Sequence, residues 1–141
     1  MKRTATAVWS GDLKTGNGAI SMQSGVIKDS PYTFKARFED ESGKSATNPE
    51  ELIGAAQAGC FSMFLSALLA KAGYTAESIS TSATVHLGEG PTITLIEVKT
   101  EAKVPGVAEA EFLELAEAAK KNCPISKALA GPEITLSAKL L

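Results

Sequence analysis

An α+β fold is predicted by three observations. The first forty residues contain short alternating apolar segments, a long uncharged helix begins near Pro49, and the remainder reads as two strands, a helix and a last strand without repeats. No linker or low-complexity stretch divides the chain, so residues 1–141 are expected to form a single domain.

Taken in order, Ala5, Val8 and Trp9 precede a turn at Gly11-Asp12. Ala19, Ile20 and Met22 follow the Gly16-Asn17-Gly18 turn signal, which fits a meander or a hairpin. Tyr32, Phe34, Ala36 and Phe38 then alternate with Thr33, Lys35 and Arg37, which predicts a strand with one apolar face and Arg37 pointing away from it. Asn48-Pro49-Glu50-Glu51 supplies an N-cap, a proline at the first helical position and a reaching-back acid, opening a helix that runs to about Lys71 before the Gly73 stop. Ile79 to Leu87 and Ile93 to Val104 form a second predicted hairpin around Gly88–Pro91. An amphipathic helix over Ala108–Lys121 should place Phe112, Leu113, Leu115 and Ala116 inward, and Asn122-Cys123-Pro124 interrupts it. A short helical piece over Ile125–Leu129 and a strand over Ile134–Leu140 complete the pattern.

Composition narrows the function. With 44% hydrophobic and 21% charged residues the chain has the makeup of a globular domain, and a net charge of -2 without a basic cluster offers no footprint for nucleic acid. The N-terminal segment MKRTATAVWSGD lacks the apolar run of a secretory signal, so a cytoplasmic location is expected. Leu52 to Ala70 carries no charge over a length that approaches a membrane span. Its Ala, Gly and Ser content and Gln57 point instead to a helix buried on nearly all sides of a soluble core.

Counting excludes several chemistries. One histidine, His86, and two cysteines cannot complete a usual zinc site, and neither a CxxC, a phosphate-binding glycine loop nor a GxSxG elbow occurs. No metal and no cofactor is therefore expected, and His86 reads as a surface or edge residue. Cys60 and Cys123 remain. In a reducing compartment two cysteines are either packing residues or reversible redox groups. Cys60 sits among small helical residues that let other groups approach its sulfur, and Cys123 sits at a helix junction that rearranges at low cost, a layout suited to an attacking and a resolving thiol.

A thiol in mid-helix gains nothing from the helix N-terminus, and burial raises its pKa. An unperturbed thiol is about 3% thiolate at pH 7, whereas a depression of roughly two units gives about three-quarters thiolate. A cation is needed, and Arg37 is the candidate. Glu50 either serves the helix dipole or orients Arg37. Ten helical residues put Glu50 about 15 Å from Cys60 along one axis. Either the helix breaks near Gly54, or the site joins Cys60 of one subunit to groups of another, which is the favoured alternative.

At these residues the chain resembles the OsmC/Ohr family of osmotically inducible and organic-hydroperoxide-resistance proteins over essentially its whole length. WSGDLKTGNGAIS, PYTFKARFE around Arg37, TNPEELIGAAQAGCFSMFLS around Glu50 and Cys60, and NCPISKAL around Cys123 carry the resemblance. It is closer to the OsmC branch, in which the arginine lies on the strand before the long helix. The link FEDESGKSATNP looks a few residues longer than in some relatives. The resemblance implies an intertwined homodimer with β-sheets packed around long central helices and two active sites at the interface. Each site would reduce organic hydroperoxides and, less readily, hydrogen peroxide.

In that scheme Cys60 is peroxidatic, Cys123 condenses with its sulfenic acid to a disulfide, and Arg37 and Glu50 are the activating pair. The two cysteines are 63 residues apart, so such a disulfide would stabilise the oxidised fold by about 4 kcal/mol in the chain-entropy model. The cycle then needs an external dithiol reductant, a role that dihydrolipoyl proteins fill for Ohr relatives. Phe61, Met63 and Phe64 suggest an apolar lining that favours organic peroxides. Two rival readings share these residues: a peroxide-responsive dithiol sensor without turnover, and a hydrophobic-ligand module in which Cys60 is merely packed. No membrane partner is implied.

Overall fold

The computed structural model describes residues 1–141, and the chain forms two compact units, Met1–Pro49 and Glu50–Leu141. The architecture is mixed α+β, with a three-stranded sheet in each unit.

In the first unit β1 (Ala5–Ser10) and β2 (Asn17–Met22) form the expected antiparallel hairpin, with Ser10 opposite Asn17 and Ala5 opposite Met22. Asp12 shapes the turn by accepting hydrogen bonds from the Lys14 and Thr15 N–H groups and from the Thr15 hydroxyl. These donors, the Thr15 hydroxyl foremost, hold the Asp12 carboxyl below the usual carboxylate range. A short β3 (Ser30–Tyr32) pairs antiparallel with β2.

The strand expected to continue through Phe38 is instead a helix, α1 (Phe34–Phe38). Thr33, extended at φ -143° and ψ 161°, caps it by accepting the Ala36 N–H at 3.0 Å. Phe34 and Phe38, four residues apart, pack with ring centroids 4.9 Å apart and planes tilted by 43° on one helix face. Alternation over so few residues also satisfies that helical pairing, and the threonine cap decides between them. Arg37 is therefore on a helix rather than on a strand.

The second unit is built on α2 (Pro49–Lys71), which is continuous through Gly54, so the expected alternative of a break there does not occur. Gly54 serves a close approach: a Cβ at that position would lie 2.9 Å from the Ala83 carbonyl oxygen. At the other end Gly73, with φ +91°, turns the chain while the Tyr74 N–H donates to the Leu69 carbonyl. β4 (Ser78–Gly88) and β5 (Thr92–Lys103) form the second antiparallel hairpin. α3 (Glu109–Asn122) and α4 (Pro124–Ala128) then cross to β6 (Glu133–Leu140), which pairs parallel to the central β5. Exposed on β4, His86 pairs through Nε2 with Glu97 at 2.6 Å.

The core joins Phe61, Leu65 and Leu69 of α2 to Ile96 and Val98 of β5 and Phe112 of α3. Helical spacing selects these positions, and it corrects two expectations. α2 is not buried on nearly all sides: Gly54, Gln57, Phe61, Leu65 and Leu69 form one buried stripe, while Ala55, Ala56, Gly59, Met63 and Ala67 are exposed. By length and composition this helix is apolar enough to cross a membrane, yet its large side chains Phe61, Leu65 and Leu69 lie in the protein core. On α3 the buried set is Phe112, Ala116 and Ala119, and Leu113, turned a further 100° around the axis, is exposed.

Candidate active site

Cys60 projects from the middle of α2 and is half-buried, whereas Cys123 is fully buried at the junction of α3 and α4. Both are free thiols, and they are neighbours: each sulfur perturbs the ionisation of the other. The fold thus brings together two residues far apart in sequence, because the α3–α4 kink that exposes the Cys123 side chain to α2 occurs where Pro124 enters α4.

Their surroundings differ. Burial pushes the Cys60 thiol above its ordinary value, the Ile125 N–H opposes that rise, and Cys123 adds to it. At Cys123 burial also disfavours the anion, but it is outweighed by the Ser126 hydroxyl, the Ser126 N–H, the Cys60 thiol and the Ile125 N–H, and the net shift is downward. Cys123 Sγ lies 3.2 Å from Ser126 Oγ and accepts the Ser126 N–H at 3.3 Å, so the cysteine caps α4 with its own sulfur. Within this unit the better-stabilised thiolate is that of Cys123, and the Cys60 environment agrees with the need for a cation derived from its mid-helix position.

Glu50 occupies the first turn of α2. Since the helix is unbroken, its ten-residue separation from Cys60 holds them about 15 Å apart along the axis, and they do not meet within one chain. Arg37 lies in the other unit, exposed on α1, with its guanidinium carbon 4.8 Å from the Phe38 ring centroid. It lines a cavity of about 270 Å³ walled by Trp9, Leu13, Tyr32, Phe34 and Phe38. Trp9 and Tyr32 pack with centroids 5.3 Å apart on this wall. Of the three side chains expected to form an apolar lining near Cys60, Phe61 is instead fully buried in the core, Phe64 is half-buried and Met63 is largely exposed.

Two residues that sequence reasoning did not single out join the thiols. Gln57, one turn before Cys60 on α2 and fully buried, donates from Nε2 to Ser126 Oγ at 2.8 Å. Ser126 is itself buried. Signals for both were present: a glutamine in an otherwise uncharged, small-residue helix, and a Cys-Pro-x-Ser run that places a hydroxyl in the first turn after a cysteine.

Comparison with known proteins gives a consistent picture. The family of OsmC-like proteins matches residues 41–137. Peroxiredoxin OsmC of Escherichia coli (strain K12) is 49% identical over 137 residues, covering 95% of this chain and 93% of that protein. Among solved structures, an organic hydroperoxide resistance protein from Elizabethkingia anophelis is 25% identical with a TM-score of 0.69, covering 99% of this chain and 96% of the other. An OsmC-like protein from Vibrio cholerae has a TM-score of 0.78 at 15% identity, covering 98% of this chain and 99% of the other, a likeness of fold.

Proposed function

Because the chain belongs to the OsmC-like protein family, we propose that it is a thiol peroxidase that reduces organic hydroperoxides with Cys60 and Cys123. The observation that carries this reading is the pairing of the two sulfurs, one reachable and one buried, in a chain 49% identical to a protein named a peroxiredoxin.

The Cys60 thiolate attacks the terminal peroxide oxygen, the O–O bond breaks, and the alkoxide leaves and takes up a proton as the alcohol. Cys60 is left as a sulfenic acid. The Cys123 thiolate then attacks that sulfur, an S–S bond forms, and hydroxide leaves and is protonated to water. An external dithiol, for example of the dihydrolipoyl type, returns both cysteines to thiols. In this reading Arg37 supplies the cation that the raised Cys60 thiol needs, and Glu50 orients it, with groups from two subunits completing each site.

A homodimer is supported by the face of α2 that the chain leaves uncovered, where Met63 is 77% exposed beside Ala56, Gly59 and Ala67. Equilibrium sedimentation should give a dimer, and Met63→Glu should shift it towards monomer; a wild-type monomer at all concentrations would remove this part. The aromatic cavity around Arg37 supports alkyl or aryl peroxides over hydrogen peroxide. Equal rates with cumene hydroperoxide and hydrogen peroxide would contradict that preference. We place the protein in the cytoplasm, where thiols are kept reduced.

The test of the function is peroxide consumption under excess dithiothreitol by wild type, Cys60→Ser and Cys123→Ser. Repeated turnover by wild type and none by Cys60→Ser is expected. A single stoichiometric oxidation of wild type would favour a sensor, and turnover by Cys60→Ser would end the proposal.

A further inference from the structure

Gln57 is a polar side chain with no exposure in a helix whose other buried residues are glycine, phenylalanine and leucine. Its amide donates from Nε2 to Ser126 Oγ at 2.8 Å, while its Oε1 is buried without a hydrogen-bond partner. Ser126 Oγ in turn lies 3.2 Å from Cys123 Sγ, which also accepts the Ser126 N–H at 3.3 Å. A hydroxyl has one proton to give. With a lone pair of Oγ occupied by the Gln57 N–H, that proton stays available to the sulfur. The opposite amide orientation would draw the proton to Oε1, and the hydroxyl could then only accept from a Cys123 thiol. The Gln57 amide, the Ser126 hydroxyl and the Cys123 sulfur thus form one buried chain in which the hydroxyl can donate to a thiolate.

We propose that Gln57 is a positioning residue that acts through Ser126 to hold Cys123 as the departing sulfur when the disulfide is reduced, so that the reductant attacks Cys60. This rests on the two-cysteine reading above. The reductant thiolate forms a bond to Cys60 Sγ, and the Cys60–Cys123 bond breaks with its electron pair going to Cys123 Sγ. The departing thiolate is received by the Ser126 hydroxyl and N–H. The reductant's second thiol, losing its proton, displaces Cys60 from the mixed disulfide; the dithiol is oxidised by two electrons and the protein reduced by two. Access runs in the same direction, since Cys123 is fully buried and Cys60 only half-buried. Cys60 is the titratable group facing Cys123 from α2. Around it on the other elements, Lys121 and Lys127 are exposed and Lys120 is paired with Glu117 at 2.9 Å.

The experiment follows the Cys123 thiolate by its ultraviolet absorbance in Cys60→Ser, alone and combined with Gln57→Met, Ser126→Ala or both. Each addition should raise the titration midpoint by about half a unit to one unit, a three- to tenfold loss of thiolate at fixed pH. Gln57→Met should add nothing once Ser126 is alanine. An unmoved midpoint, or effects that simply add, overturns the proposal. If Gln57→Met does not fold, an unmoved midpoint in Ser126→Ala alone is sufficient to overturn it. A second readout uses protein with the native cysteines, oxidised with diamide and treated with a monothiol. Peptide mapping should find the mixed disulfide on Cys60, and finding it on Cys123 overturns the assignment. Neither readout involves peroxide, so failure of the peroxidase reading and failure of this one are told apart.

Discussion

Cys123 accepts the N–H of Ser126 at 3.3 Å, so a cysteine is the N-cap of the helix that carries its own hydrogen-bond donor. The nearby Cys60 has no such donor from its own helix, and their surroundings shift the two thiols in opposite directions from the ordinary value.

A pH dependence of stability follows, with opposite signs for the two sulfurs. The folded pKa of Cys123 is depressed, so its contribution is fully present above the unfolded thiol value and is lost as pH falls through the folded value. That of Cys60 is raised, so its contribution is present below the unfolded value and is lost as pH rises through the folded one. In denaturant titrations at increasing pH, in an Arg37→Ala background where no guanidinium serves Cys60, Cys60→Ser, which retains Cys123, should gain stability relative to Cys123→Ser. Parallel curves would contradict the assignment.

Arg37→Ala should slow oxidation of Cys60 by about twenty-five-fold at pH 7, the ratio of thiolate fractions with and without a cation. The defect should shrink as pH rises through the thiol range, because hydroxide then does the work of the guanidinium. Rapid-mixing kinetics from pH 6 to 10 check this. A defect independent of pH would assign Arg37 to substrate binding rather than to thiolate formation.

Thr33→Ala removes the side-chain cap of α1 and should cost about 1 kcal/mol. Gly54→Ala forces a Cβ to 2.9 Å from the Ala83 carbonyl oxygen and should cost about 1–3 kcal/mol, since backbone rather than a flexible side chain must yield. Urea unfolding of both variants measures these losses, and an unchanged midpoint for Gly54→Ala would show that α2 and β4 are less tightly apposed.

Much of this was legible in the sequence, and the failures have physical causes. Turn residues located β1 and β2, alternation located β4, apolar stretches beyond it located β5 and β6, and the Pro49 start and Gly73 stop delimited α2. α1 was misread because Phe34 and Phe38 satisfy both a period of two and an i,i+4 pair, and the Thr33 cap settles the matter only locally. Leu113 was misplaced because hydrophobicity alone does not fix which neighbouring residue of a helix faces the core. The cysteines could be singled out by chemistry. Gln57 stands out in the sequence only as a glutamine in an uncharged helix, and its role depends on Ser126, 69 residues away, arriving at its amide.

Intact mass and peptide mapping of the reduced protein after one equivalent of cumene hydroperoxide test the central claim most directly. The account predicts a mass loss of two hydrogens with Cys60 and Cys123 joined in one cross-linked peptide, and in Cys123→Ser the gain of oxygen on Cys60. An unchanged wild-type mass, or oxygen found on Cys123 with Cys60 still a thiol, would contradict it.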